Sequence, residues 1–457
     1  MNIEAIYTRY LAHPEISTDT RTLSPGCMYI ALKGDNFNGN TFALQALDQG
    51  AAYVIVDEPI GNAPLAVTDS QVSKSGARAD NRIIKVENCL LTLQDLARYH
   101  RQQLKIPVLG ITGSNGKTTT KELIYSVLSE KFNTHATKGN LNNHIGVPLT
   151  ILAIKQEAEF AIIEMGANHP LEIKLLSSIC QPSSGLITNV GYAHLEGFGG
   201  FEGVKKSKKE LYDFLYKEQS PAFVWSGSTD LVLMSSALKH RFFYGSFDTD
   251  QIQGEVLSAD PFLQISWKHH NPGSDGGNNP EDTFEVMTRL TGRYNLPNLL
   301  AAISIGLYFG LRPQEINQGL GSYQPANNRS QLQKSALNEL ILDCYNANPS
   351  SMKAALDNLD QLNYPRKMVI LGDMFELGEE SGREHEEILR MLMKINPGTA
   401  LLIGSAFMKL KHLFPAGFFF ESAAEAEGYL IANPFKDNLI LIKGSRGMKL
   451  EKLQPYL

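Results

Sequence analysis

The residues best suited to chemistry form a glycine-rich run, Gly110-Ile-Thr-Gly-Ser-Asn-Gly-Lys-Thr-Thr119, which follows an apolar segment and precedes a helical one. Glycines let backbone N–H groups turn inward around phosphate oxygens, a lysine at this spacing reaches the β- and γ-phosphates, and a threonine hydroxyl can bind Mg²⁺. The following helix would present the positive end of its dipole to the same anion. The run therefore predicts a phosphate loop with ATP as its ligand, built by Gly113, Asn115, Gly116, Lys117, Thr118 and Thr119.

This run departs from the usual phosphate-loop spacing at one position. The G-x-x-x-x-G-K-[ST] pattern would place glycine where Ile111 stands, and the chain has its glycine one residue earlier, at Gly110. A plain glycine-rich turn between a strand and a helix is the competing interpretation. The strand, the Gly-Lys-Thr core and the helix follow each other in the order that phosphate binding requires, which favours the phosphate loop.

Two further polar residues stand after apolar segments. Glu164 ends the segment 160–163, and His194 lies in the loop after segment 186–190. In open α/β sheets, ligands bind outside the carboxyl ends of the strands, and a carboxylate is a hard ligand suited to Mg²⁺ beside a triphosphate. Glu164 is therefore a candidate metal ligand, with an exposed strand-end carboxylate as the alternative. His194 is a candidate by position alone, and a loop histidine without a function is its alternative.

A lysine interrupts the apolar face of a predicted helix at residues 204–215. Val204, Lys208, Leu211 and Leu215 follow each other at the spacing of one helical face, whereas the neighbouring lysines fall on the other side. Burial of a lysine favours the neutral amine, which is nucleophilic. The alternative is a lysine whose stem packs on the apolar face while its head reaches water.

Strand-like and helix-like segments alternate over most of the chain, which indicates an α/β protein with a parallel sheet covered by helices. Strands are predicted at residues 27–32, 52–56, 82–86, 108–112, 161–164, 185–190, 222–225, 340–343, 367–371, 400–403 and 439–443, and helices at 41–49, 92–103, 121–131 and 204–215. Polar stretches rich in turn formers, 69–81 and 271–280, are predicted loops. A length of 457 residues suggests about three domains, for which we predict the boundaries 1–86, 87–312 and 313–457.

Composition and charge exclude several classes of protein. A net charge of −6 argues against nucleic acid as a partner, because a nucleic-acid-binding surface normally shows a basic excess. The four cysteines have no C-x-x-C spacing, so neither a disulfide framework nor a zinc site is indicated. The first residues lack the pattern of a signal peptide, and no apolar run reaches the length of about 18 residues that spans a membrane. We expect no membrane insertion, a cytoplasmic location and a monomer.

At several motifs the chain resembles the ATP-dependent Mur ligases. The matching stretches are residues 110–119, 139–149, 164–168, 188–196, 292–298, 345–349, 371–374, 376–378 and 443–446, so they span all three predicted domains. The phosphate loop is shared by every Mur ligase and by folylpolyglutamate synthase. The runs Tyr345-Asn-Ala-Asn-Pro349 and Leu371-Gly-Asp-Met374 are more specific, and they are similar to the family member that adds D-alanyl-D-alanine.

This resemblance implies a fold and an activity. The fold would have three domains: an N-terminal α/β domain that binds the UDP substrate, a central phosphate-loop domain with a parallel sheet that binds ATP, and a Rossmann-like C-terminal domain that binds the incoming dipeptide. The protein would be an ATP-dependent ligase that joins D-Ala-D-Ala to UDP-N-acetylmuramoyl-tripeptide. The reaction would pass through an acyl phosphate intermediate and would be a step in peptidoglycan synthesis. ATP and two Mg²⁺ ions would be required.

It also implies roles for single residues. Lys117 would bind the ATP phosphates, Thr118 and Glu164 one Mg²⁺, and His194 together with a carbamylated Lys208 the second. The family and the helical-face argument thus select the same lysine. Asn295, Arg329 and Asp343 would bind the nucleotide, and Ser17, Thr18 and Arg21 would lie in the uridine-binding region. Five further residues would contact the substrates that are joined: Asn142, Asn143, Tyr345, Asn346 and Asn348.

Two departures from the family pattern and two alternative functions stay open. The chain has Asn38-Gly-Asn40 where the family often has Asp-Gly-His, and Trp225-Ser-Gly-Ser228 where Asn-x-Asp-Asp is usual. Folylpolyglutamate synthase would use the same loop and lysine with a folate substrate. A phosphate-loop ATPase that acts as a switch would use segment 160–164 as its Walker B strand and bind a macromolecular partner instead of making a bond.

Overall fold

The computed structural model describes residues 2–60, 81–270, 283–326 and 328–457, and the account below refers to them. The helices are α1 (Ile3–Ala12), α2 (Ala43–Asp48), α3 (Cys89–Gln103), α4 (Lys117–Leu128), α5 (Gly146–Leu152), α6 (Glu172–Cys180), α7 (Leu195–Phe198), α8 (Phe201–Lys217), α9 (Thr229–Met234), α10 (Leu296–Tyr308), α11 (Pro313–Ser322), α12 (Pro349–Gln361), α13 (Ser381–Ile395), α14 (Ser405–Lys409) and α15 (Ala423–Ala432). None of them combines the length and the hydropathy that crossing a bilayer requires.

The strands of this part of the chain are mostly short and buried. They are β1 (Ile16–Ser17), β2 (Met28–Ile30), β3 (Lys33–Gly34), β4 (Phe37–Asn38), β5 (Tyr53–Val56), β6 (Ile83–Lys85), β7 (Val108–Thr112), β8 (Thr134–Ala136), β9 (Phe160–Glu164), β10 (Ser184–Ile187), β11 (Ala222–Trp225), β12 (Arg241–Gly245), β13 (Ile252–Ser258), β14 (Gln264–His269), β15 (Thr283–Met287), β16 (Gln331–Lys334), β17 (Glu339–Leu342), β18 (Lys367–Gly372), β19 (Thr399–Ile403), β20 (Phe418–Phe420) and β21 (Leu439–Lys443).

The chain divides into two compact units. The first comprises Met1–Gly110, Phe132–Ala167 and Leu171–Ser184, and the second Ile111–Lys131, Asn168–Pro170 and Gly185–Leu457. In the first unit, β1, β2, β5 and β6 form a parallel sheet in the order β1-β2-β5-β6. The same unit contains the parallel pair β8 and β9. Near-complete burial of β2 and β5 explains why both read as continuous apolar runs.

In the second unit, the sheet that carries the phosphate loop continues in the order β10-β11-β12-β13-β14-β15. The pairs from β10 to β13 are parallel, and β13, β14 and β15 pair antiparallel. The sequence did not predict these antiparallel strands, because each is only partly buried and polar residues interrupt its apolar run. The loop predicted at 271–280 falls outside the described residues, as does nearly all of 69–81.

The last sheet of the second unit has the order β16-β17-β21-β18-β19-β20 and is parallel apart from the β16–β17 pair. Alternate residues of its strands face two separate cores. Val369 and Leu441 pack with helices α12, α13 and α14, whereas Ile370 and Ile442 pack with α15 and the C-terminal segment. Helices on both faces of a mostly parallel sheet give the Rossmann-like architecture that the resemblance implies.

Most predicted elements are confirmed, and some boundaries shift. β7, β11 and β21 have the bounds predicted from the sequence. The helix predicted at 121–131 begins earlier, at Lys117, and ends at Leu128. The α/β class is confirmed, whereas the three domain boundaries stay predictions.

Candidate active site

The phosphate loop connects β7 to α4 through two glycines with positive φ. Gly113 has φ +147°, and a β-carbon there would overlap the Thr188 hydroxyl oxygen. Gly116 has φ +76°, and its β-carbon would lie 3.0 Å from Asn298 Oδ1. Gly116 is also the N-cap residue of α4, so it has no side chain to accept the first N–H groups of the helix. The loop thus offers backbone N–H groups at a helix N-terminus, which is the arrangement that binds phosphate.

Hydrogen bonds to the segment after β10 fix the shape of this loop. The Asn115 N–H donates to Asn189 Oδ1 at 2.9 Å, and the Thr188 hydroxyl donates to the Asn115 carbonyl at 2.6 Å. Ser114 exchanges two hydrogen bonds with the backbone of Gly191, at 2.9 and 3.1 Å. Asn189 lies in a stretch that matches the family, but no sequence pattern predicts that it holds the loop in this way. The loop is therefore held in place by its own unit of the protein.

Lys117 begins α4 and folds back over the loop. Its Nζ donates to the carbonyl oxygens of Gly113 at 2.7 Å and Ser114 at 3.1 Å. Thr118 and Thr119 are buried in the first turn behind it. An ammonium group held beside the backbone N–H groups of the loop suits a β- or γ-phosphate.

Asn295 is buried, and its amide group is used inside the protein. Its Nδ2 donates to the Thr291 carbonyl at 2.8 Å, and its Oδ1 accepts from Asn298 Nδ2 at 2.8 Å. Asn298 in turn accepts from the Thr120 hydroxyl at 3.0 Å, so the chain of bonds connects α10 with α4. These contacts give Asn295 a structural role, and its contact with adenine stays a prediction.

Lys208 lies on the buried face of α8, as the helical spacing predicts. Its exposed fraction is 1%, so its head does not reach water and the alternative of a lysine extending to the surface is wrong. Its Nζ lies 5.3 Å from the centre of the Phe198 ring. On the other side of α8, Lys205 forms an ion pair with Asp230 at 2.8 Å, as expected for the solvated face.

His194 lies close to both lysines of the site. Its backbone has φ +53°, and its ring contacts Phe198 edge-on. Burial lowers the pKa of His194; the positive charges of Lys117 and Lys208 act in the same direction, and the Glu376 carboxylate opposes them. His194 Nδ1 is hydrogen-bonded to Glu376, which leaves Nε2 for another partner. Glu376 is in a segment that matches the family, but the sequence did not identify it as a site residue.

Glu164 lies in the first unit, at the end of β9. It is buried, its Oε1 accepts from Asn142 Nδ2 at 2.9 Å, and its backbone N–H donates to the Thr137 hydroxyl at 2.9 Å. The alternative of an exposed strand-end carboxylate is therefore wrong. Asn143 Oδ1 accepts from Gly146 N, at the first residue of α5, at 2.8 Å.

The predicted uridine region also lies in the first unit. Ser17 Oγ donates to the Asp19 carbonyl at 3.0 Å. Arg21 is 87% exposed at its side chain and forms an ion pair with Asp19 at 2.6 Å. Hydrogen bonds from Arg21 lower the pKa of the Asp19 carboxyl to about 2. Together with Thr18, these residues form an open turn, and the structure brings no other predicted site residue of this unit to them.

The departure at Asn38-Gly-Asn40 has a structural explanation. Asn40 is buried, its Nδ2 donates to Asp57 Oδ1 at 2.8 Å, and its Oδ1 accepts from Asp57 N at 3.1 Å. Asn38 Nδ2 donates to Glu58 at 2.6 Å. The two asparagines connect the turn to the end of β5. For the segment 225–228, the structure shows a turn whose last residue, Ser228, caps α9.

The carboxyl edge of the C-terminal sheet gathers the remaining predicted residues. Asp343 forms a buried ion pair with Lys443 at 2.6 Å, and the same Lys443 Nζ lies 3.4 Å from the Asn346 carbonyl. Arg329 lies over the Tyr345 ring, with Cζ 3.5 Å from its centre. Lys443 was not predicted, although it opens a stretch that matches the family.

One contact connects this edge to the phosphate loop. Asn348 caps α12 by accepting from Ser351 N at 2.9 Å, and its Nδ2 donates to Asn115 Oδ1 at 2.6 Å. Close by, Tyr192 N lies 3.3 Å from Ser350 Oγ. The second unit therefore brings together the loop, His194, Lys208 and the start of α12.

Within the described ranges, no three His, Cys, Asp or Glu side chains gather into a ready-made metal site. Of the predicted ligands, the second unit holds the Thr118 hydroxyl and the His194 imidazole, and the first unit holds the Glu164 carboxylate. Hydroxyl and carboxylate oxygens each fit Mg²⁺, which keeps few protein ligands and takes further oxygens from substrate phosphates.

Comparison with known proteins agrees with this geometry. Family models match the Mur ligase catalytic domain at residues 14–101, the Mur ligase middle domain at 111–306 and the glutamate ligase domain at 328–446. The UDP-N-acetylmuramoyl-tripeptide–D-alanyl-D-alanine ligase of Bacillus subtilis is 33% identical over 99% of this chain and 96% of its own length.

Two solved structures are similar over nearly the whole chain. A crystal structure of MurF from Acinetobacter baumannii has a TM-score of 0.81 and 31% identity, covering 96% of this chain and 92% of that one. The MurF ligase from Thermotoga maritima in complex with ADP has a TM-score of 0.82 and 25% identity, covering 98% and 97%.

A phosphate loop, a buried lysine beside a histidine and a Rossmann-like C-terminal sheet define an ATP-dependent ligase of three-domain architecture. The chain belongs to the Mur ligase family.

Proposed function

We propose that this enzyme joins the terminal carboxyl group of UDP-N-acetylmuramoyl-tripeptide to the amino group of D-Ala-D-Ala, converting ATP to ADP and phosphate. The product would be the UDP-linked pentapeptide precursor of peptidoglycan. The observation that carries the proposal is the hydrogen bond from Asn348 to Asn115, because it joins the dipeptide-type motif at 345–349 to the phosphate loop. The similarity to the Bacillus subtilis ligase supports the same assignment.

The reaction proceeds in two bond exchanges. A carboxylate oxygen of the tripeptide attacks the γ-phosphorus of ATP, and the bond to the β-phosphate oxygen breaks, which releases ADP and leaves an acyl phosphate. The dipeptide amine then attacks the acyl carbon, loses a proton, and expels inorganic phosphate. The loop N–H groups and Lys117 hold the phosphates during the first exchange, and we propose that Asn348 contacts the incoming amine during the second.

Mg²⁺ would neutralise the charge that develops on the transferred phosphoryl group. Thr118 and Glu164 are proposed to hold one ion, and His194 with carbamylated Lys208 the second. The burial of Lys208 supports the carbamate, since CO₂ reacts with the neutral amine and the product is an anion suited to Mg²⁺. Carbamylation would also replace the positive charge of Lys208, one of the two beside His194, by a negative charge.

Nucleotide roles are proposed for Asn295, Arg329 and Asp343, and substrate roles for Ser17, Thr18, Arg21, Asn142, Asn143, Tyr345 and Asn346. Asn142 is the best supported of these in the first unit, because its side chain holds the Glu164 carboxylate. A cytoplasmic monomer remains our prediction for the state in which the enzyme works.

The test is phosphate release from ATP and Mg²⁺ with UDP-N-acetylmuramoyl-tripeptide, with and without D-Ala-D-Ala, while the UDP-linked product is followed by mass. We expect release that requires both substrates and a product heavier by one dehydrated dipeptide. Release that ignores the dipeptide would contradict the proposal and favour a switch ATPase. Release that requires a folate and glutamate would identify a folylpolyglutamate synthase instead.

A further inference from the structure

Tyr345 is the centre of a cationic cluster at the carboxyl edge of the C-terminal sheet. Arg446 Nη1 donates to the Tyr345 hydroxyl at 3.0 Å, and its Cζ lies 4.9 Å from the ring centre. Arg329 approaches the same ring to 3.5 Å. Contacts of this kind hold a guanidinium group in place without neutralising its charge.

The cluster has no counter-charge in the part of the chain that the structure describes. No carboxylate oxygen there lies within ion-pair distance of Arg329 or Arg446, although most other arginine ion pairs of the second unit are local and exposed. Arg446 is exposed and has five N–H donors, of which the Tyr345 hydroxyl uses one. Two positive charges beside a neutral phenol form an environment that attracts an anion.

An apolar surface lies directly beside Arg446. Phe375, in the loop after β18, is 46% exposed, and its backbone N–H donates to Ser445 Oγ at 2.9 Å. Its ring passes so close to Gly447 that a β-carbon there would lie 2.7 Å from Phe375 Cε2. The carboxyl ends of β17, β21 and β18 therefore present a tyrosine, an arginine and a phenylalanine at one edge, where open α/β sheets bind their ligands.

D-Ala-D-Ala has the groups that match this surface. Its amine reacts, whereas its carboxylate and its two methyl groups do not, so the protein must hold the unreacted end if the amine is to be aimed at the acyl carbon. We infer that Arg446 binds the α-carboxylate of the dipeptide, with the Phe375 ring beside its methyl groups and Tyr345 as the residue that positions the guanidinium. This inference rests on the proposed function.

Phosphate oxygens of the nucleotide are a second source of the same chemistry, and the family resemblance directs Arg329 to the nucleotide. Arg446 is the better carboxylate partner for two reasons. Its Nη1 donates to the hydroxyl of Tyr345, which opens the dipeptide-type motif, and the residue next to it, Gly447, lies against the Phe375 ring, an apolar surface that suits the methyl groups of the dipeptide. The two arginines thus take different anions.

The test compares D-Ala-D-Ala with its C-terminal amide, which keeps the reacting amine and both methyl groups but lacks the negative charge. We expect the wild-type enzyme to prefer the acid about 10- to 100-fold in kcat/KM, as a charged hydrogen-bonded pair allows. In Arg446→Gln this preference should fall to within about threefold, with the KM for ATP unchanged. Arg446→Lys keeps the charge without the planar geometry and should retain part of the preference.

Arg366→Gln is the matched control, because Arg366 is exposed at the opposite edge of the same sheet, just before β18. It should keep the wild-type preference. Tyr345→Phe removes only the hydroxyl that holds Arg446, and its preference should lie between those of wild type and Arg446→Gln. An unchanged preference in Arg446→Gln, or a raised KM for ATP without a change in preference, would overturn the inference. A wild-type enzyme that ignores both dipeptides would contradict the proposed function instead.

Discussion

The phosphate loop and the carboxyl edge of the C-terminal sheet hold their polar groups in different ways. In the loop, short hydrogen bonds join backbone atoms and small side chains, and Gly113 cannot take a β-carbon. At the sheet edge, long side chains such as Tyr345 and Arg446 contact one another and remain partly exposed. We therefore expect the loop to keep one shape whether or not its ligand is bound, and the sheet edge to adjust its side chains around a ligand.

This difference matches the two substrates. A triphosphate presents the same oxygens in every enzyme that binds it, so a preformed backbone cradle serves it well. A dipeptide must be distinguished from other amines by its side groups and its carboxylate, which is a task for side chains from several strands.

The largest effect on activity is expected at Lys208, the buried lysine of the site that contains the phosphate loop. Lys208→Ala should lower kcat by about 1,000-fold, because a ligand of a catalytic metal ion contributes several kcal/mol to the transition state. Short carboxylic acids should restore part of the activity by replacing the carbamate. Lys206→Ala, on the exposed side of α8, is the control. Full activity of Lys208→Ala in steady-state assays would exclude the carbamate.

The same substitution in both regions tests the difference between them. Gly113→Ala should weaken ADP binding by at least about 100-fold, because its φ of +147° is unfavourable for alanine and the new methyl group meets Thr188. Gly447→Ala should change it less than about twofold, since the three atoms nearest to the new methyl group all belong to the exposed ring of Phe375, which can move.

Gly382→Ala, with nothing within 4 Å of the new methyl group, gives the baseline for a glycine substitution in α13. Calorimetric titration with ADP is the measurement. Equal losses at positions 113 and 447 would show that the sheet edge is as rigid as the loop.

The next largest effect is expected at the contact between the loop after β18 and His194. Glu376, from the loop after β18, is hydrogen-bonded to His194 Nδ1, and such carboxylate contacts orient histidines that bind metal through the other nitrogen. Glu376→Gln should weaken Mn²⁺ binding in the presence of ADP by about 10-fold, measured by electron paramagnetic resonance. Glu379→Gln, on an exposed residue of the same loop, should leave it unchanged. Equal Mn²⁺ affinities of the two variants would show that Glu376 does not contribute to metal binding.

The same two regions show how much a sequence can predict. The phosphate loop is local, so its ten residues indicate strand, turn, helix and ligand together. Helical spacing alone likewise places Lys208 on the apolar face of its helix, and the structure shows that it is buried there. The Tyr345 cluster combines residues separated by about 100 positions, and no spacing rule connects Arg446 to Tyr345. Asn189 and Glu376 were missed for the same reason, because their roles depend on contacts between distant loops.

Buried polar residues are a second limit of sequence analysis. Asn295 resembles a nucleotide-binding residue, yet its amide group is used in a hydrogen-bond chain between two helices. Asp373 lies in one of the most specific motifs, and its carboxylate accepts from Ala406 N at 2.9 Å and Phe407 N at 3.1 Å, which stabilises the start of α14. A motif identifies the residues that a family retains without separating those that bind substrate from those that hold the fold.

The smallest effect concerns the response of the sheet edge to pH. His385 is fully buried behind the loop that carries Phe375; its Nε2 accepts from Met374 N at 3.0 Å, and its Nδ1 donates to the Ser381 carbonyl at 2.7 Å. Burial lowers the pKa of His385 from its ordinary 6.5, while the Ser381 carbonyl and the carboxylates of Asp373 and Glu384 oppose that shift.

Because the folded protein binds this proton less readily than the unfolded chain, stability should be full above pH 6.5 and fall as the pH drops below it. A single such histidine contributes at most about 1.4 kcal/mol per pH unit. In His385→Gln, the Tm should therefore be lower at pH 7.5 but fall less steeply between pH 6.5 and 5 than in wild type. A slope equal to that of wild type in differential scanning calorimetry would assign the acid sensitivity to other histidines whose pKa burial lowers, namely His100, His135 and His194. In that case loss of the Met374 N–H bond to His385 would not be the cause of the acid response, and the sheet edge would tolerate acid as well as the rest of the second unit does.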